Sequence, residues 1–256
     1  MKNTYTITEI KEKLQQESVT EEEWNVFQQD ERKGVQALIR SYKNKQLKKK
    51  REKENFEVML NFERELWSKG IQFVAGVDEV GRGPLAGPVV AGAVIIDESF
   101  YIEGLKDSKQ LSEKKRNYFF EQIKEQAVAY SIGMVDHEMI DKINIFQATK
   151  LAMKEAIANL PIKPNSLLID AVKLPEIPIH QQSIVKGDQR SVSIAAASIL
   201  AKVTRDSYMK EIDKEYPQYQ FASNMGYGTK DHVEALREYG PSPYHRLTFG
   251  QVKELK

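Results

Sequence analysis

The sequence predicts an α/β fold: a mixed β-sheet flanked by helices, preceded by a helical extension and followed by further helices. Three observations carry that expectation. From about residue 71 onward, short apolar runs alternate with stretches of helical periodicity. The segment Ser193 to Val203 is apolar on nearly every side, as a helix buried against a sheet must be. Residues 1–70, by contrast, are dense in Lys and Glu and almost free of Gly and Pro, which sets a charged helical extension apart from a main domain at 71–256. A chain of 256 residues, 41% hydrophobic and 29% charged, is long enough for a large domain with such an appendage.

In the extension, Thr20 followed by Glu23 is a capping-box pattern, and Trp24, Phe27, Val35, Leu38 and Ile39 form a helix-spaced apolar set. Between Arg40 and Lys53, eight basic side chains stand against the single acid Glu52, a local charge of +7. Such a run is either a solvated helix face or a grip on phosphates. Phe56, Met59, Leu60, Phe62, Leu66 and Trp67 then suggest a helix that docks on the main domain.

The main domain opens with two apolar strands, Phe73–Val77 and Val89–Ile96. A helix follows over Ser112–Gln126, then a third strand at Ala129–Val135. A long amphipathic helix is expected over roughly His137–Leu160, since Ile145, Thr149, Ala152, Met153, Ala156 and Leu160 keep helical spacing and Pro161 and Pro164 end it. Two more strands are predicted at Ser166–Ala171 and Gln182–Lys186, ahead of the buried helix.

Composition narrows the functional classes. No apolar stretch approaches the ~20 residues that span a bilayer, and Met1–Tyr5 leads into alternating charges rather than a secretory leader. A cytoplasmic monomer is expected. With no cysteine, thiolate chemistry is excluded, and a metal must be held by oxygen or imidazole. The net charge of +1 excludes a strongly basic coat but leaves room for a local basic face.

The chemistry concentrates where apolar strands end on acids. The first strand leads into Asp78 and Glu79 and then a run containing Gly81, Gly83 and Gly87; a second ends on Asp170; a third reaches Asp188 through Gly187. Neighbouring strand residues face opposite ways, so Asp78 and Glu79 can share one ion only where the backbone twists or ends. If the three strands are neighbours, four carboxylates meet at one rim and repel unless divalent cations neutralise them. Hard oxygen ligands suit Mg²⁺ or Mn²⁺, and the chemistry such a pair of ions serves is phosphoryl transfer. Asp188 could instead cap the buried helix, and Asp107 and Asp206 compete for the fourth position, although neither has an apolar strand running into it.

The segment Gly76 to Pro88 resembles the opening signature of bacterial ribonuclease HII. The resemblance continues through Asp107–Ser112, Asp170, Lys186–Asp188, Ser193–Asp206, Gly226–Thr229 and Pro241–Arg246, and spans about residues 71–250. It implies a ribonuclease H-like sheet and metal-dependent cleavage of the RNA strand in RNA–DNA hybrids. It also implies incision 5′ to single ribonucleotides in duplex DNA, leaving 3′-hydroxyl and 5′-phosphate ends, as ribonucleotide removal and primer or hybrid degradation require. By the same resemblance Asp78, Glu79, Asp170 and Asp188 fall on the metal-binding carboxylates, with two Mn²⁺ or Mg²⁺ ions expected. Gly81, Arg82 and Gly83 fall on the element that feels the ribose 2′-hydroxyl through its backbone, and Tyr227 on the tyrosine that packs against the following sugar. The sister family, ribonuclease HIII, usually carries a lysine at the counterpart of Arg82 and a glutamate as fourth ligand, so the chain resembles HII.

Lys109 and Lys202 are candidate contacts to the nucleic-acid backbone. His137, His180, His232 and His245 are scattered without a helical ligand pair, so imidazole ligation is not expected; His245 beside Arg246 reads as a structural hydrogen-bonder or a phosphate neighbour. Gln251–Lys256 lacks the aromatic plug of a clamp-binding tail. Two rival classes remain: a hybrid-binding module without chemistry, and a transposase or resolvase that cuts substrates lacking ribose.

Overall fold

The computed structural model describes residues 5–254. Met1–Thr4, read above for a leader, and Leu255 and Lys256 of the tail lie outside the described residues.

The chain divides into two compact units, Met1–Asn55 and Phe56–Lys256. In the first, α1 (Ile7–Gln15) and α2 (Glu21–Gln28) each start from a capping box, Thr6 with Glu9 and Thr20 with Glu23. They share a small core with the start of α3 (Lys33–Met59): Ile10, Leu14, Phe27, Val35 and Ile39 are buried together. The division falls inside α3, ahead of the compositional change near residue 70. The reason is packing: Phe56, Met59 and Leu60 belong to a cluster with Phe100, Ile102 and Phe119.

The second unit continues through α4 (Asn61–Ser68), β1 (Val74–Val80), β2 (Val89–Ile95), α5 (Glu113–Gln126), β3 (Ala129–Val135), α6 (His137–Ile143) and α7 (Ile145–Ala158). It goes on with β4 (Ser166–Asp170), β5 (His180–Ile184), α8 (Val192–Glu215), α9 (Phe221–Asn224), α10 (Lys230–Tyr239) and α11 (Gly250–Lys253). The sheet order is β3-β2-β1-β4-β5, antiparallel on the β2 side of β1 and parallel on the β4 side. Helix α7 covers one face through Ala75, Val77, Ala152 and Met153; α8 lies on the other. That second approach needs glycine. A Cβ on Gly76 would sit 2.1 Å from the Ser193 carbonyl carbon, and one on Gly92 2.5 Å from the Ala197 oxygen.

Three expectations need correction. The long helix breaks at Asn144, which takes φ 69° and uses its side chain to accept from the backbone N–H groups of Phe146 and Gln147, so α7 starts afresh. Strand β1 runs on to Val80 rather than stopping at Val77. Strand β5 lies two residues earlier than predicted, because it pairs with β4 from Ser166↔His180 to Asp170↔Ile184.

At the start of α8 stands a buried carboxylate the sequence did not single out. Glu63 Oε1 accepts from Ser191 Oγ (2.6 Å), Ser193 N (2.9 Å) and Ser193 Oγ (2.7 Å), while its Oε2 has no partner among the described residues. Burial raises its proton affinity above the usual carboxylate range. The folded chain therefore holds that proton more tightly than the unfolded one, and stability falls as pH climbs from the ordinary carboxylate value to the raised one. Glu63→Gln should remove that slope in urea denaturation, whereas Glu63→Ala should cost about 3 kcal/mol by stranding three donors.

Candidate active site

Strand register brings the first two acids together. Val77 aligns with Ile169 across the parallel pair, so Asp78 and Asp170 each follow by one residue at the same rim. Asp78 shares a strand face with Gly76, the face that α8 covers. Asp188 arrives from the other direction. Lys186 turns through a left-handed conformation (φ 56°) into a short 3₁₀ turn, Gly187–Gln189, that ends just before α8. The helix is capped by Ser191, whose side chain accepts from Ile194 N, which leaves the Asp188 carboxylate free of that role.

One carboxylate oxygen from each of Asp78, Asp170 and Asp188 lies within 4.8 Å of the others. Backbone donors hold them: Glu79 N donates to Asp78 Oδ1 at 2.8 Å, and Gly187 N donates to Asp170 Oδ1 at 2.8 Å. Burial pushes the Asp78 carboxyl well above its ordinary range, and the Glu79 charge adds to the effect. Asp188 is raised for the same first reason and then by Asp107, with Lys109 offsetting part of it through a 3.2 Å contact from Nζ to Oδ2. Among the described residues, Lys109 answers one of these three mutually repelling carboxylates, which leaves an excess of negative charge at the rim.

Glu79 stands apart from that trio. It alternates to the opposite strand face, and Arg82 Nη1 donates to its Oε1 at 3.2 Å. Its Oε2 is buried with no hydrogen-bond partner among the described residues, an acceptor still available to a cation. The competing acids are engaged elsewhere. Asp206 is paired with Lys202 at 2.7 Å and lies 3.9 Å from Arg116, which also takes Lys202 away from a free phosphate contact. Asp107 caps its own 3₁₀ turn and accepts from Gln189 Nε2 at 3.3 Å.

Beyond β1 the Gly81–Gly83 segment lies beside Tyr227. Tyr227, 45% exposed, lies beside Gly83, where a Cβ would make ordinary contact with its Cε1 at 3.6 Å. Sequence spacing concealed what holds this tyrosine. His232 and His245, thirteen residues apart, share a 2.9 Å Nε2···Nε2 hydrogen bond. His232 Nδ1 bonds the Tyr227 carbonyl at 2.8 Å, and His245 Nδ1 is met by Ser242 N at 2.9 Å. Burial, with His232 adding, lowers His245 to about 3, so the pair is neutral and structural.

Compared with known proteins, residues 75–252 match the profile described as Ribonuclease HII, and residues 6–67 match the profile described as Ribonuclease HII N-terminal domain. The chain belongs to the ribonuclease HII family. It is thus a type 2 ribonuclease H endonuclease. It is 53% identical over 252 residues to a ribonuclease HII of Bacillus cytotoxicus, covering 98% of this chain and 97% of that one. It is 55% identical over 247 residues to one of Bacillus anthracis, covering 95% of each. Among solved structures it is similar to the ribonuclease H2 of Pyrococcus horikoshii, with TM-score 0.60, 31% identity and coverage of 72% of this chain and 96% of that one. The fold, at 20% identity and TM-score 0.55, is also that of Bst-RNase HIII solved in complex with Mn²⁺, over 72% of this chain and 69% of that one. The two matched spans are separated by residues 68–74, which lead into the start of β1. Among the described residues no helix is long and apolar enough to cross a membrane.

Proposed function

We propose that this chain is a divalent-metal-dependent endonuclease that cleaves the RNA strand of RNA–DNA hybrids and incises on the 5′ side of single ribonucleotides in duplex DNA, leaving 3′-hydroxyl and 5′-phosphate ends. The observation that carries the reading is the gathering of Asp78, Asp170 and Asp188 within 4.8 Å at one sheet rim. Hard carboxylate oxygens, an excess of buried negative charge and the unpartnered Glu79 Oε2 fit two Mg²⁺ or Mn²⁺ ions. Held by these residues, such ions would supply activation of a water and stabilisation of the leaving 3′-oxygen.

The chain's own groups do the rest. Asp78 within β1 and Asp170 at the end of β4 would hold the ions from adjacent strands, with Glu79 and Asp188 completing the set from either side. Lys109, exposed beside Asp188, places an ammonium at the rim where it would meet an incoming phosphate. The backbone of Gly81, Arg82 and Gly83 reads the 2′-hydroxyl, which only a main chain unencumbered by side chains can approach. Tyr227 packs over the following sugar, where a 2′-substituent would clash.

The test is the cleavage position on an end-labelled duplex carrying one ribonucleotide, with Mn²⁺ present. A cut on the 5′ side of the ribonucleotide is expected; intact strands despite tight binding would favour a binding module, and cutting of ribose-free duplex would favour a transposase-like enzyme.

The extension at 1–70 is read as an appended module whose basic helix tracks phosphates. Lys45 and Lys49 are paired with Glu17 in the first unit, while Arg40 and Arg51 are exposed. Arg40→Glu with Arg51→Glu should weaken duplex binding several-fold at low salt and little at high salt, in filter-binding titrations. Equal loss at both would indicate damage to packing.

A further inference from the structure

Two guanidinium groups without a part in the steps above lie beneath the glycine loop. Arg205 of α8 and Arg246 are both 0% exposed, and the nearest acid on α8, Asp206, is already taken by Lys202 and Arg116. Burial draws Arg246 down to about 9 and Arg205 to about 10, so both stay charged at neutral pH. Burying two cations costs several kcal/mol each unless hydrogen bonds compensate.

Backbone carbonyls supply that compensation. Arg246 Nη2 donates to Gly81 O (2.6 Å), Gly87 O (2.8 Å) and Pro88 O (3.2 Å), Nη1 to Arg82 O (3.1 Å) and Nε to Gly87 O (2.9 Å). Arg205 donates from Nη2 to Ala86 O (3.0 Å), from Nε to Pro88 O (2.9 Å) and from Nη1 to Met225 O (2.9 Å). Gly81 takes φ +94°, and a Cβ there would meet Arg205 Nε at 2.3 Å. The loop is thus wrapped around the two forks.

In a planar trans peptide the N–H points opposite to the C=O. With the carbonyls of Gly81 and Arg82 drawn inward to Arg246, the N–H groups of Arg82 and Gly83 must turn outward, toward the side where Tyr227 covers Gly83. We propose that Arg246, supported by Arg205, is a positioning residue for ribose recognition: it never touches substrate, but by holding these carbonyls it aims the Arg82 and Gly83 N–H groups at the 2′-hydroxyl and so sets the discrimination between ribonucleotide and deoxyribonucleotide. This rests on the reading of the loop given under Proposed function. A lysine would keep the charge but lose the fork, since three donors on one nitrogen cannot reach four carbonyls spread along the loop.

The experiment compares binding of two duplexes, one all-DNA and one with a single ribonucleotide, in Ca²⁺ to suppress cutting. Wild type should bind the ribonucleotide duplex at least about tenfold more tightly, the value of one good hydrogen bond. Arg246→Lys should bring that ratio close to one. A variant that merely lost folded protein would weaken both duplexes equally, so an unchanged ratio overturns the proposal. Hydrogen exchange on wild type supplies a measurement that needs no variant: the Arg82 and Gly83 amides should be protected more by the ribonucleotide duplex than by all-DNA duplex, and equal protection also overturns it. A wild-type ratio of one would instead count against the proposed function itself.

Discussion

Asp170→Asn is expected to lower kcat by about 10³-fold or more while leaving a folded protein that melts higher than wild type in the absence of metal. The asparagine keeps an oxygen for the Gly187 N–H, so the 3₁₀ turn that carries Asp188 stays in place. What disappears is one of three negative charges held within 4.8 Å. Relieving that repulsion should raise the melting temperature of the metal-free protein by about 2–4 °C, equivalent to roughly 1 kcal/mol in a domain of this size. Asp78→Asn should behave alike, since its Oδ1 bond to Glu79 N is also preserved. Turnover by radiolabelled substrate and melting by circular dichroism check both halves; wild-type turnover in either variant would remove these residues from the chemistry.

The second large effect is expected at Tyr227. Tyr227→Ala removes the ring that faces Gly83 and should lower kcat/KM on a single-ribonucleotide duplex by about 10²-fold, the scale on which a loosened substrate pose costs rate. Tyr227→Phe keeps the ring and should stay close to wild type. The His232–His245 pair would still hold the loop in both variants, because it bonds the backbone carbonyl and not the phenol. Equal losses in the two variants would shift the role from packing to the hydroxyl.

The approaches to Asp78 and Asp170 are legible because each signals itself locally, although β1 carries Asp78 and Glu79 inside the strand and only β4 ends on its acid. Val77, Ile169 and their neighbours are buried apolar residues that run straight into an acid, and parallel register then does what the pattern implies. Alternation along β1 explains why Glu79, although adjacent to Asp78, sits beside the trio and not inside it: the strand continues to Val80 and so does not twist both acids to one face. Strand β5 begins two residues ahead of the expected start because His180 and Gln181 carry no apolar pattern, and its register comes from pairing with β4. The break at Asn144 was hidden within helical periodicity that continues across it in α6 and α7.

Long-range polar partners left no trace in the sequence. Glu63 reaches Ser191 across 128 positions, and Arg246 reaches Gly81 across 165. Neither residue type announces whether it will be solvated or buried, and burial is decided by which segments the sheet brings together. His245 beside Arg246 reads from the sequence as a structural hydrogen-bonder or a phosphate neighbour, yet the place of Arg246 beneath the glycine loop depends on contacts that only the fold supplies.

Anomalous scattering from crystals soaked in Mn²⁺ tests the metal centre most directly. Manganese is expected at the rim formed by Asp78, Asp170 and Asp188, with the unpartnered Glu79 Oε2 a further candidate ligand. Manganese absent from that rim at concentrations that support cleavage would contradict that expectation.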